Sequence, residues 1–465
     1  MQKLPGSSTY LIVGGGVHGL STAYHLALEL QATGKGSGSD IVVLEKNHIG
    51  AGASGIACGV VRNFYFSPPM AEVIRVSVEL FESDPAGFGY HPVGYIAAVP
   101  EVQAQDCVSI QRQQAEIGYR SEVILGEEPC REHMRAIFAD WNGDGIEAVL
   151  HEHQGGWAET QTTVENLARL ARSQGVTILE GVEVTGVDMH GNEVQTVETT
   201  HGSIDTELLV VGAGPWSGHM WRMLGLPAEV KVARKEHATS PIGASPRVEE
   251  QGVEQDGNGS AYETKPIVTY WKLQEGDYWL DSGVDLLEGD REPPVVHLDH
   301  VVPLVSDRDG HVIEPGAWGI YYKVGRRGYG VQGGGVPIKL GTEVELEPYG
   351  HDNPDHVVGD EFTDYFTSGL AWAHERFRGK ANEWHADPHG GIGAFTPDNY
   401  PIVDFALPNA YMVMDSNHGF KMIGLGKLVA ADILRGRESR LDAFRLSRYE
   451  KGVTHAVSNS PYPWN

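Results

Sequence analysis

The feature that most constrains the fold is a glycine-rich turn near the start of the chain. It follows the apolar run TYLIV at residues 9–13, which is typical of a buried parallel strand, and it has the sequence GGGVHG at residues 14–19. Apolar residues then recur at helical spacing over residues 17–30, and a second apolar run ends at Glu45. The order strand, glycine turn, helix, strand and acid predicts a βαβ unit.

Each of these residues has a physical role in such a unit. Gly14 permits the tight turn, Gly16 lets the backbone approach a pyrophosphate, and Gly19 lets the helix pack closely against the strand. The N-terminus of the helix then faces the phosphates, and Glu45 can accept hydrogen bonds from a ribose diol. A glycine triplet alone could be an ordinary tight turn, but the two strands, the helix and the acid together favour an adenine dinucleotide site.

Composition limits the partners of the chain. Its 465 residues include 35 lysines and arginines against 63 aspartates and glutamates, a formal net charge of -28, which would repel nucleic acid and anionic membrane surfaces. We therefore expect neither as a partner. The 41% hydrophobic content is that of a folded globular protein.

Cysteine usage and the absence of long apolar runs indicate the compartment. Cys58, Cys107 and Cys130 are too few and too scattered for a disulfide framework or a zinc site, and they suit a reducing environment. No metal site is predicted. The first residues lack an apolar secretory core, and no run approaches about 18 apolar residues. We expect a soluble, cytoplasmic protein.

The first half of the chain alternates between helical and strand patterns. Apolar periodicity predicts helices over residues 70–81 and 163–173 and strands over 94–99 and 208–211. The last of these runs into the small-residue turn GAGPWS at residues 212–217. Such a turn at the end of a strand brings backbone close to a bound ligand.

Residues 231–350 are rich in β-forming residues and turns, with an exposed acidic loop predicted over 248–260. Helices return after residue 364, and a strand over 409–414 and a helix over 418–434 follow. The predicted fold class is α/β, and α+β overall, with a Rossmann-like dinucleotide-binding domain and an inserted, mostly antiparallel β substrate domain. We expect the first domain to comprise residues 1–90, 151–230 and 365–465, and the second to comprise residues 91–150 and 231–364.

Four blocks of sequence, in their order along the chain, resemble one family. They are the N-terminal βαβ unit, GASGIACGVVR at residues 52–62, GAGPWS at 212–217, and TPD at 396–398 with NHGFK at 417–421. The chain is similar in these blocks to the D-amino-acid oxidase superfamily of FAD enzymes, especially its sarcosine oxidase and amine oxidase branch. The resemblance covers nearly the whole chain and implies FAD as the cofactor. The cofactor-binding residues that it implies are Gly14, Gly16, Val17, His18, Gly19, Glu45, Lys46, Gly52, Ala53, Ser54, Val184, Gly212, Gly214, Trp216, Gly391, His418, Gly419, Phe420 and Lys421.

Several of these positions have a second interpretation. Ser54, between Gly52 and Gly55, can present its hydroxyl to the pyrophosphate or cap a helix. Val184 lies where the family holds adenine by backbone contacts, or it is simply part of the core. His418 begins the last predicted helix, whose N-terminus would direct partial positive charge at the pyrimidine end of a flavin.

Covalent attachment of FAD in the family requires particular residues. Some branches use a cysteine about five residues before the TPD block, and others use a histidine in the segment before Gly59. This chain has Gly391 at the first place and Ile56 at the second. Cys58 is near, but free cysteines are usually buried small hydrophobic residues. The prediction is noncovalent FAD.

The resemblance also implies residues that contact substrate. Arg62 and Lys421 match the two cations that bind the substrate carboxylate, and a guanidinium suits a carboxylate fork. Tyr322 matches an active-site tyrosine. The alternatives are a structural ion pair for Arg62, a surface position for Lys421 and core packing for Tyr322.

The family's oxygen-activating lysine over the flavin has two candidate positions here. A short gap in the alignment places Gln332 there, and a longer insertion places Lys339 there. The tyrosine that follows the flavin-linking cysteine in the family is replaced by Gly393, and the segment over residues 241–300 is enlarged. A bulkier amine than sarcosine is therefore expected.

The predicted function is FAD-dependent oxidation of a C–N bond in an amine or N-substituted amino acid by hydride transfer to flavin N5. The products are an imine and, with oxygen as acceptor, hydrogen peroxide. Two alternatives remain: a dehydrogenase of 2-hydroxy acids or polyols, and a noncatalytic flavin-binding subunit of a larger complex. The sequence does not predict the oligomeric state.

Overall fold

Two large β-sheets, each assembled from distant parts of the chain, carry the fold of the computed structural model. It describes residues 3–233, 254–255, 261–350, 352–452, 455 and 458–460. The strands of the first sheet are Ser7–Val13, Ile41–Glu45, Thr177–Glu180, Val184–His190, Glu193–Thr199, Gly202–Val211, Ile402–Leu407 and Ala410–Met414. The strands of the second sheet are Tyr95–Val99, Ser121–Leu125, Ala148–Glu152, Thr269–Leu280, Val295–His300, Trp318–Val324, Val331–Gly335, Ile338–Gly341 and Trp384–Phe395.

The centre of the first sheet is parallel, as the opening βαβ unit predicts. Ser7–Val13 pairs in parallel with Ile41–Glu45 on one side and with Gly202–Val211 on the other. The helix Val17–Thr33 buries Leu20, Leu26 and their neighbours in the core beside the sheet. This arrangement places the carboxyl ends of the central strands, where ligands bind in such sheets, beside the glycine turn.

The second sheet is mostly antiparallel. Thr269–Leu280 pairs with Trp384–Phe395 along its whole length, and only Tyr95–Val99 with Val295–His300 is a parallel pair within the part of this sheet that the structure describes. The helix Asp360–Ala373 packs on one face, where Phe366 stacks on Tyr278. The predicted fold class, a Rossmann-like part with a mostly antiparallel β part, is confirmed.

Two expectations differ from the structure, and a third falls outside the described residues. The expected domain boundary at residue 365 puts Trp384–Phe395 in the dinucleotide domain, whereas this strand pairs along its whole length with Thr269–Leu280 of the second sheet. The helix predicted over 418–434 is a short 3₁₀ turn at Gly419–Met422 followed by a helix at Leu425–Arg435. The acidic loop predicted over 248–260 lies outside the described residues, apart from residues 254–255.

Shorter elements connect and cover the sheets. Within the described residues, no helix is long and apolar enough to cross a membrane. The other α-helices are Ala53–Ile56, Pro68–Ser83, Pro85–Phe88, Ala104–Glu116, Glu127–Ile137, Thr160–Ser173, Ser217–Met223 and Ser447–Glu450. The shorter strands are Val60–Val61, Tyr90–His91, Gly156–Ala158, Glu229–Ala233, Glu254–Gln255, Ala261–Pro266, Leu304–Val305 and Val312–Glu314.

Candidate active site

A cavity of about 2790 Å³ lies against the carboxyl ends of the first sheet and one face of the second. Most of the site residues predicted from the sequence line it, although they come from distant parts of the chain. Gly19, Tyr322 and Gln332 do not line the cavity. Those that do are Gly14, Gly16, Val17, His18, Glu45, Lys46, Gly52, Ala53, Ser54, Arg62, Val184, Gly212, Gly214, Trp216, Lys339, Gly391, His418, Gly419, Phe420 and Lys421.

The glycine turn leaves no room for side chains. A Cβ atom on Gly14 would lie 2.3 Å from the carbonyl oxygen of Gly212, and Gly14 also has a φ of +115°. A Cβ on Gly19 would lie 1.9 Å from the carbonyl oxygen of Gly14. The role predicted for Gly19 is close packing, so its position behind the cavity wall agrees with that role. The backbone itself therefore forms this part of the wall.

Side chains fix this backbone from two directions. The carboxylate of Glu45 accepts hydrogen bonds from the N–H groups of Gly15 and Asn47, both at 2.8 Å. Ser54 Oγ accepts a hydrogen bond of 3.1 Å from Val17 N, at the start of the helix. Ser54 thus caps a helix that is remote in sequence while also lining the cavity. A carboxylate has about four acceptor sites, so Glu45 keeps capacity for a further donor.

The two positions that attach flavin in the family lie against each other. A Cβ built on Gly391 would be 2.9 Å from Ile56 Cδ1. Neither residue carries a group that can form a bond to a flavin. Cys58 lines the same cavity, but burial raises the pKa of its thiol well above the usual range, which disfavours the reactive thiolate.

These features fit FAD. The backbone cradle suits a pyrophosphate, Glu45 suits a ribose, and the volume of the cavity exceeds the roughly 300–1,000 Å³ typical of a small-ligand pocket. Lys46 supports the cavity wall and does not offer a free charge to the cofactor. Its ammonium lies 3.8 Å from the centre of the Trp216 ring and pairs with Glu347. It holds Trp216 at the cavity wall by a cation–π contact.

Arg62 is half-buried within a group of aromatic rings. Its guanidinium carbon lies 5.9, 5.1 and 5.6 Å from the ring centres of Phe64, Tyr65 and Tyr95, and Nη1 donates to Phe64 O at 2.6 Å. Within the described residues, Arg62 forms no ion pair with a carboxylate. A half-buried guanidinium without a carboxylate partner can bind an anion such as a substrate carboxylate.

Lys421 lines the same cavity from the 3₁₀ turn Gly419–Met422. Burial, and secondly the positive charge of Arg62, lower the pKa of its ammonium to about 7. Within the part of the chain that the structure describes, Lys421 likewise forms no ion pair. A bound carboxylate would relieve both the desolvation and the repulsion of this ammonium from Arg62.

The segment that carries Arg62 is held by a buried carboxylate. Glu152 is fully buried and accepts hydrogen bonds from Asn63 N at 2.8 Å, from Gln114 Nε2 at 2.8 Å and from the hydroxyl of Tyr119 at 3.0 Å. Burial raises the pKa of Glu152 to about 7. Sequence analysis missed this residue, because its partners lie far apart in the chain.

His418 joins the cofactor side of the cavity to the substrate side. The hydroxyl of Tyr65 lies 2.9 Å from His418 Nδ1, and His418 Nε2 lies 3.2 Å from the carbonyl oxygen of Asn399. Because a carbonyl only accepts, Nε2 carries the proton, and Nδ1 accepts from Tyr65. Burial, followed by the charge of Lys421, lowers the pKa of His418 to about 3, which keeps this imidazole neutral.

The strand Trp318–Val324 turns Tyr322 away from the cavity. Tyr322 is fully buried in the core behind the sheet, and its hydroxyl lies 2.9 Å from His374 Nε2. The expected position of Tyr322 beside the substrate is therefore corrected, since neighbouring residues of a strand point to opposite faces. Tyr321 lines the cavity instead, and its hydroxyl donates to Glu275.

The two candidate positions for the family's lysine differ in their access to the cavity. Gln332 shares the face of Tyr321 but is 1% exposed, and its amide makes a long hydrogen bond of 3.5 Å to Asp277 rather than lining the cavity. Lys339 is exposed and lines the cavity, with its ammonium 6.0 Å from the centre of the Trp271 ring. Of the two, only Lys339 reaches the cavity.

A pair formed by one histidine and one aspartate also lines the substrate end, and the sequence analysis did not identify it. His297 Nε2 lies 2.9 Å from Asp299 Oδ1, and the His297 ring packs 5.9 Å from Phe64, one of the rings around Arg62. The two residues are separated by one position on the strand Val295–His300. This i, i+2 spacing is the sequence signal that could have placed them on one face.

Comparison with known families agrees with this geometry. The profile described as FAD dependent oxidoreductase (DAO) matches residues 9–432, which is most of the chain. This chain belongs to the FAD dependent oxidoreductase family. The predicted family, FAD as cofactor and an enzymatic class of oxidoreductase are thereby confirmed.

The curated relatives of this chain are distant in sequence, and the chain matches only part of each. The sarcosine oxidase subunit beta of Rhizobium meliloti is 30% identical over 220 residues, covering 46% of this chain and 51% of the relative. The mitochondrial dimethylglycine dehydrogenase of Rattus norvegicus is 26% identical over 325 residues, covering 64% of this chain and 36% of the relative. The chain thus matches about half or less of the length of these curated relatives.

A solved structure supports the fold over the whole chain. The L-proline dehydrogenase of P. horikoshii superimposes with a TM-score of 0.71 at 20% identity, covering 97% of this chain and 100% of the other. At that identity, the similarity is one of fold.

Proposed function

We propose that this protein oxidises a C–N bond of an N-substituted or unsubstituted amino acid. The observation that carries this proposal is the pair of half-buried cations, Arg62 and Lys421, which line one cavity without a carboxylate partner among the described residues. Sarcosine and dimethylglycine, which give two relatives their names, are N-methylated amino acids with one carboxylate each. FAD, when bound, supplies the hydride acceptor for such a reaction.

The residues of the chain bind and orient the substrate. Arg62 and Lys421 hold the carboxylate, so that the carbon that bears nitrogen keeps a fixed position in the cavity. The rings of Phe64, Tyr65 and Tyr95 exclude water around Arg62 and strengthen its attraction for the carboxylate. An amine that binds deprotonated loses hydride without a general base, and the resulting imine then hydrolyses in water.

Oxygen is the proposed final acceptor, with hydrogen peroxide as product. Lys339 supports this proposal, because it reaches the cavity with its ammonium exposed. The variant Lys339→Met should slow reoxidation of the reduced enzyme by air much more than it slows reduction by substrate. Equal reoxidation rates in the variant and wild type would contradict the role of Lys339.

FAD is proposed to bind noncovalently. Gly391 and Ile56, which occupy the attachment positions, carry no reactive group. Acid precipitation of the yellow protein should leave all of the flavin in the supernatant as FAD. Flavin that remains with the precipitate would contradict noncovalent binding and would direct attention to Cys58.

A second candidate is a dehydrogenase of 2-hydroxy acids, favoured by one observation. Such a reaction needs a base near the hydroxyl, and His297 with Asp299 lines the cavity near the rings around Arg62. A 2-hydroxy acid would use the same two cations for its carboxylate. The carboxylate site alone does not separate the two reactions.

Anaerobic reduction of the bound flavin distinguishes oxidation of amino acids from oxidation of 2-hydroxy acids. The holoenzyme is mixed with N-methylated amino acids, unsubstituted amino acids, carboxylate-free amines and 2-hydroxy acids, and bleaching of the flavin absorbance is followed. We expect bleaching with amino acids and little with the other classes. Bleaching by hydroxy acids alone would favour the second candidate, and bleaching by carboxylate-free amines alone would contradict the carboxylate site. Reduction by none of them would favour a flavin-binding subunit that needs a partner.

A further inference from the structure

Three histidines and one glutamate meet on the second sheet, at residues that do not line the cavity. Glu122 and His151 are directly opposite each other on the antiparallel strands Ser121–Leu125 and Ala148–Glu152. His153 follows two residues after His151, and its backbone N–H donates to the carbonyl oxygen of Arg120 at 3.0 Å. His133 reaches the same place from the helix Glu127–Ile137.

The possible ligand atoms of Glu122, His151 and His153 lie together, and His133 lies beside His151. His153 Nε2 and His151 Nδ1 lie 3.3 Å and 3.9 Å from the same oxygen of Glu122. His133 Nε2 lies 3.1 Å from His151 Nδ1. The ligand atoms of Glu122, His151 and His153 are all within 4.8 Å of one another.

The three separations are close to those between ligands of a tetrahedral metal site. Four ligands at the roughly 2.0–2.2 Å typical of zinc–nitrogen and zinc–oxygen bonds lie about 3.4 Å apart in a tetrahedron. Three separations, 3.1, 3.3 and 3.9 Å, bracket that value, and His133 would move closer to Glu122 and His153 when the ion binds. Imidazole and carboxylate ligands suit Zn²⁺, whereas Mg²⁺ and Ca²⁺ prefer sites composed of oxygen.

We propose that His133, His151, His153 and Glu122 form a Zn²⁺ site remote from the catalytic cavity. Two ligands come from one strand and its continuation, one from the neighbouring strand and one from the helix. A bound ion therefore cross-links the helix Glu127–Ile137 to the strand pair. The cysteine count could not reveal this site, but the alternation His151-Glu152-His153 is a sequence signal for it.

The site lies one residue from a group that supports the active site. Successive residues of a strand face opposite sides, so His151 faces the metal ligands while Glu152 faces Asn63 and Tyr119. Zinc would restrain the strand Ala148–Glu152 from the side opposite to Glu152. The ligands themselves do not touch the cavity, so activity without metal should persist.

Calorimetric titration of ZnCl₂ into the chelator-stripped holoprotein at pH 7.5 tests the site. We expect one equivalent to bind with a Kd of about 1 μM or tighter, and to raise the unfolding midpoint. His151→Ala, His153→Ala, His133→Ala and Glu122→Gln should each weaken zinc binding at least tenfold. FAD content and activity in the absence of metal should stay at the wild-type level, which shows that each variant is folded.

The matched control is His190→Ala, an exposed histidine at the end of a strand of the first sheet. It should leave the zinc affinity unchanged, which matters in a chain with 21 histidines. If the wild type binds no zinc, or if His151→Ala and His153→Ala bind it as the wild type does, the proposal is wrong. An unaffected His133→Ala would remove the helix from the site and overturn the four-ligand arrangement. His153 is 43% exposed, so its replacement remains informative even if the more buried variants fail to fold.

Discussion

The two ends of the cavity differ in whether backbone or side chains line them. The dinucleotide end is formed largely by backbone and glycine, and the carboxylate of Glu45 there is already satisfied by two N–H groups at 2.8 Å. The substrate end is lined by side chains, and its two half-buried cations, Arg62 and Lys421, lack a carboxylate partner among the described residues.

This difference has an energetic meaning. A satisfied, close-packed wall gains little from small adjustments and loses much from any added atom. A wall with unpaired buried charges carries a desolvation cost that a ligand of opposite charge relieves. We therefore expect substitutions at the first end to act on cofactor content, and substitutions at the second end to act on substrate affinity and its pH dependence.

The largest effect is expected from Gly19→Ala. The new Cβ would lie 1.9 Å from the carbonyl oxygen of Gly14, so the turn must shift and the cradle opens. The purified variant should retain less than about a tenth of the flavin of the wild type, measured by the ratio of visible to ultraviolet absorbance. Gly6→Ala is the control, because its Cβ meets nothing within 4 Å. Full flavin content in Gly19→Ala would refute the cradle.

Loss of one cation should have the next largest effect. Arg62→Ala removes a charged hydrogen bond worth about 1.5–3 kcal/mol, so carboxylate inhibitors should bind about ten- to a hundredfold more weakly. Arg62→Lys should restore only part of this affinity, because an ammonium lacks the planar fork. The titration is followed by the flavin spectrum, and FAD content should hardly change. Equal affinities in wild type and Arg62→Ala would mean that the substrate end does not bind carboxylates through Arg62.

A smaller effect on the affinity for a carboxylate ligand is expected from a change in pH. Lys421 has a lowered pKa of about 7 in the free protein, and only its protonated form attracts a carboxylate. Affinity for a carboxylate ligand with a pKa below 5 should therefore be full at pH 6 and fall as pH rises through 7 towards 9, by at most about ten- to a hundredfold.

The variant Lys421→Arg isolates this contribution. An arginine keeps its charge throughout this range, so the fall above pH 7 should disappear. Glu152, with a pKa raised to about 7, is present in both proteins and cannot account for a difference between them. Identical pH profiles would assign the dependence to Glu152 or another group, and not to Lys421.

The smallest effect on catalysis is expected from Tyr322→Phe. Its hydroxyl faces His374 in the core, so kcat/KM should stay within about twofold, while loss of a buried hydrogen bond lowers the free energy of unfolding by about 1–3 kcal/mol. Tyr321→Phe should change kcat/KM more than stability, since Tyr321 lines the cavity beside Glu275. A reversal of these two outcomes would show that the strand faces the cavity with its other side.

The sequence predicted the dinucleotide end well because its geometry is local. Strand, glycine turn, helix and acid follow one another within residues 7–45, and the structure keeps that order. The substrate end depends on which face each strand turns inward. Trp318, Ile320, Tyr322 and Val324 all join one core cluster, and this alternation, applied to the sequence, would have chosen Tyr321.

Other features could not be read from short patterns. The last helix was predicted to begin at residue 418, but Ser416 and Asn417 have φ angles of 55° and 65°, and the chain forms a 3₁₀ turn before the helix begins at Leu425. Glu152 has no motif, because its partners, such as Asn63 and Gln114, come from separate segments. Tertiary packing alone brings these groups together.

The contact between Gly391 and Ile56 has a consequence for how such a protein would behave in a cell. If FAD binds noncovalently, as proposed above, it exchanges with its free pool, and the fraction of active molecules follows the ratio of FAD concentration to Kd. Because FAD binds the folded chain, the stability of the fold rises with the same ratio. A shortage of riboflavin would then lower both the activity and the lifetime of the protein, whereas a covalently flavinylated relative would keep its cofactor once assembled.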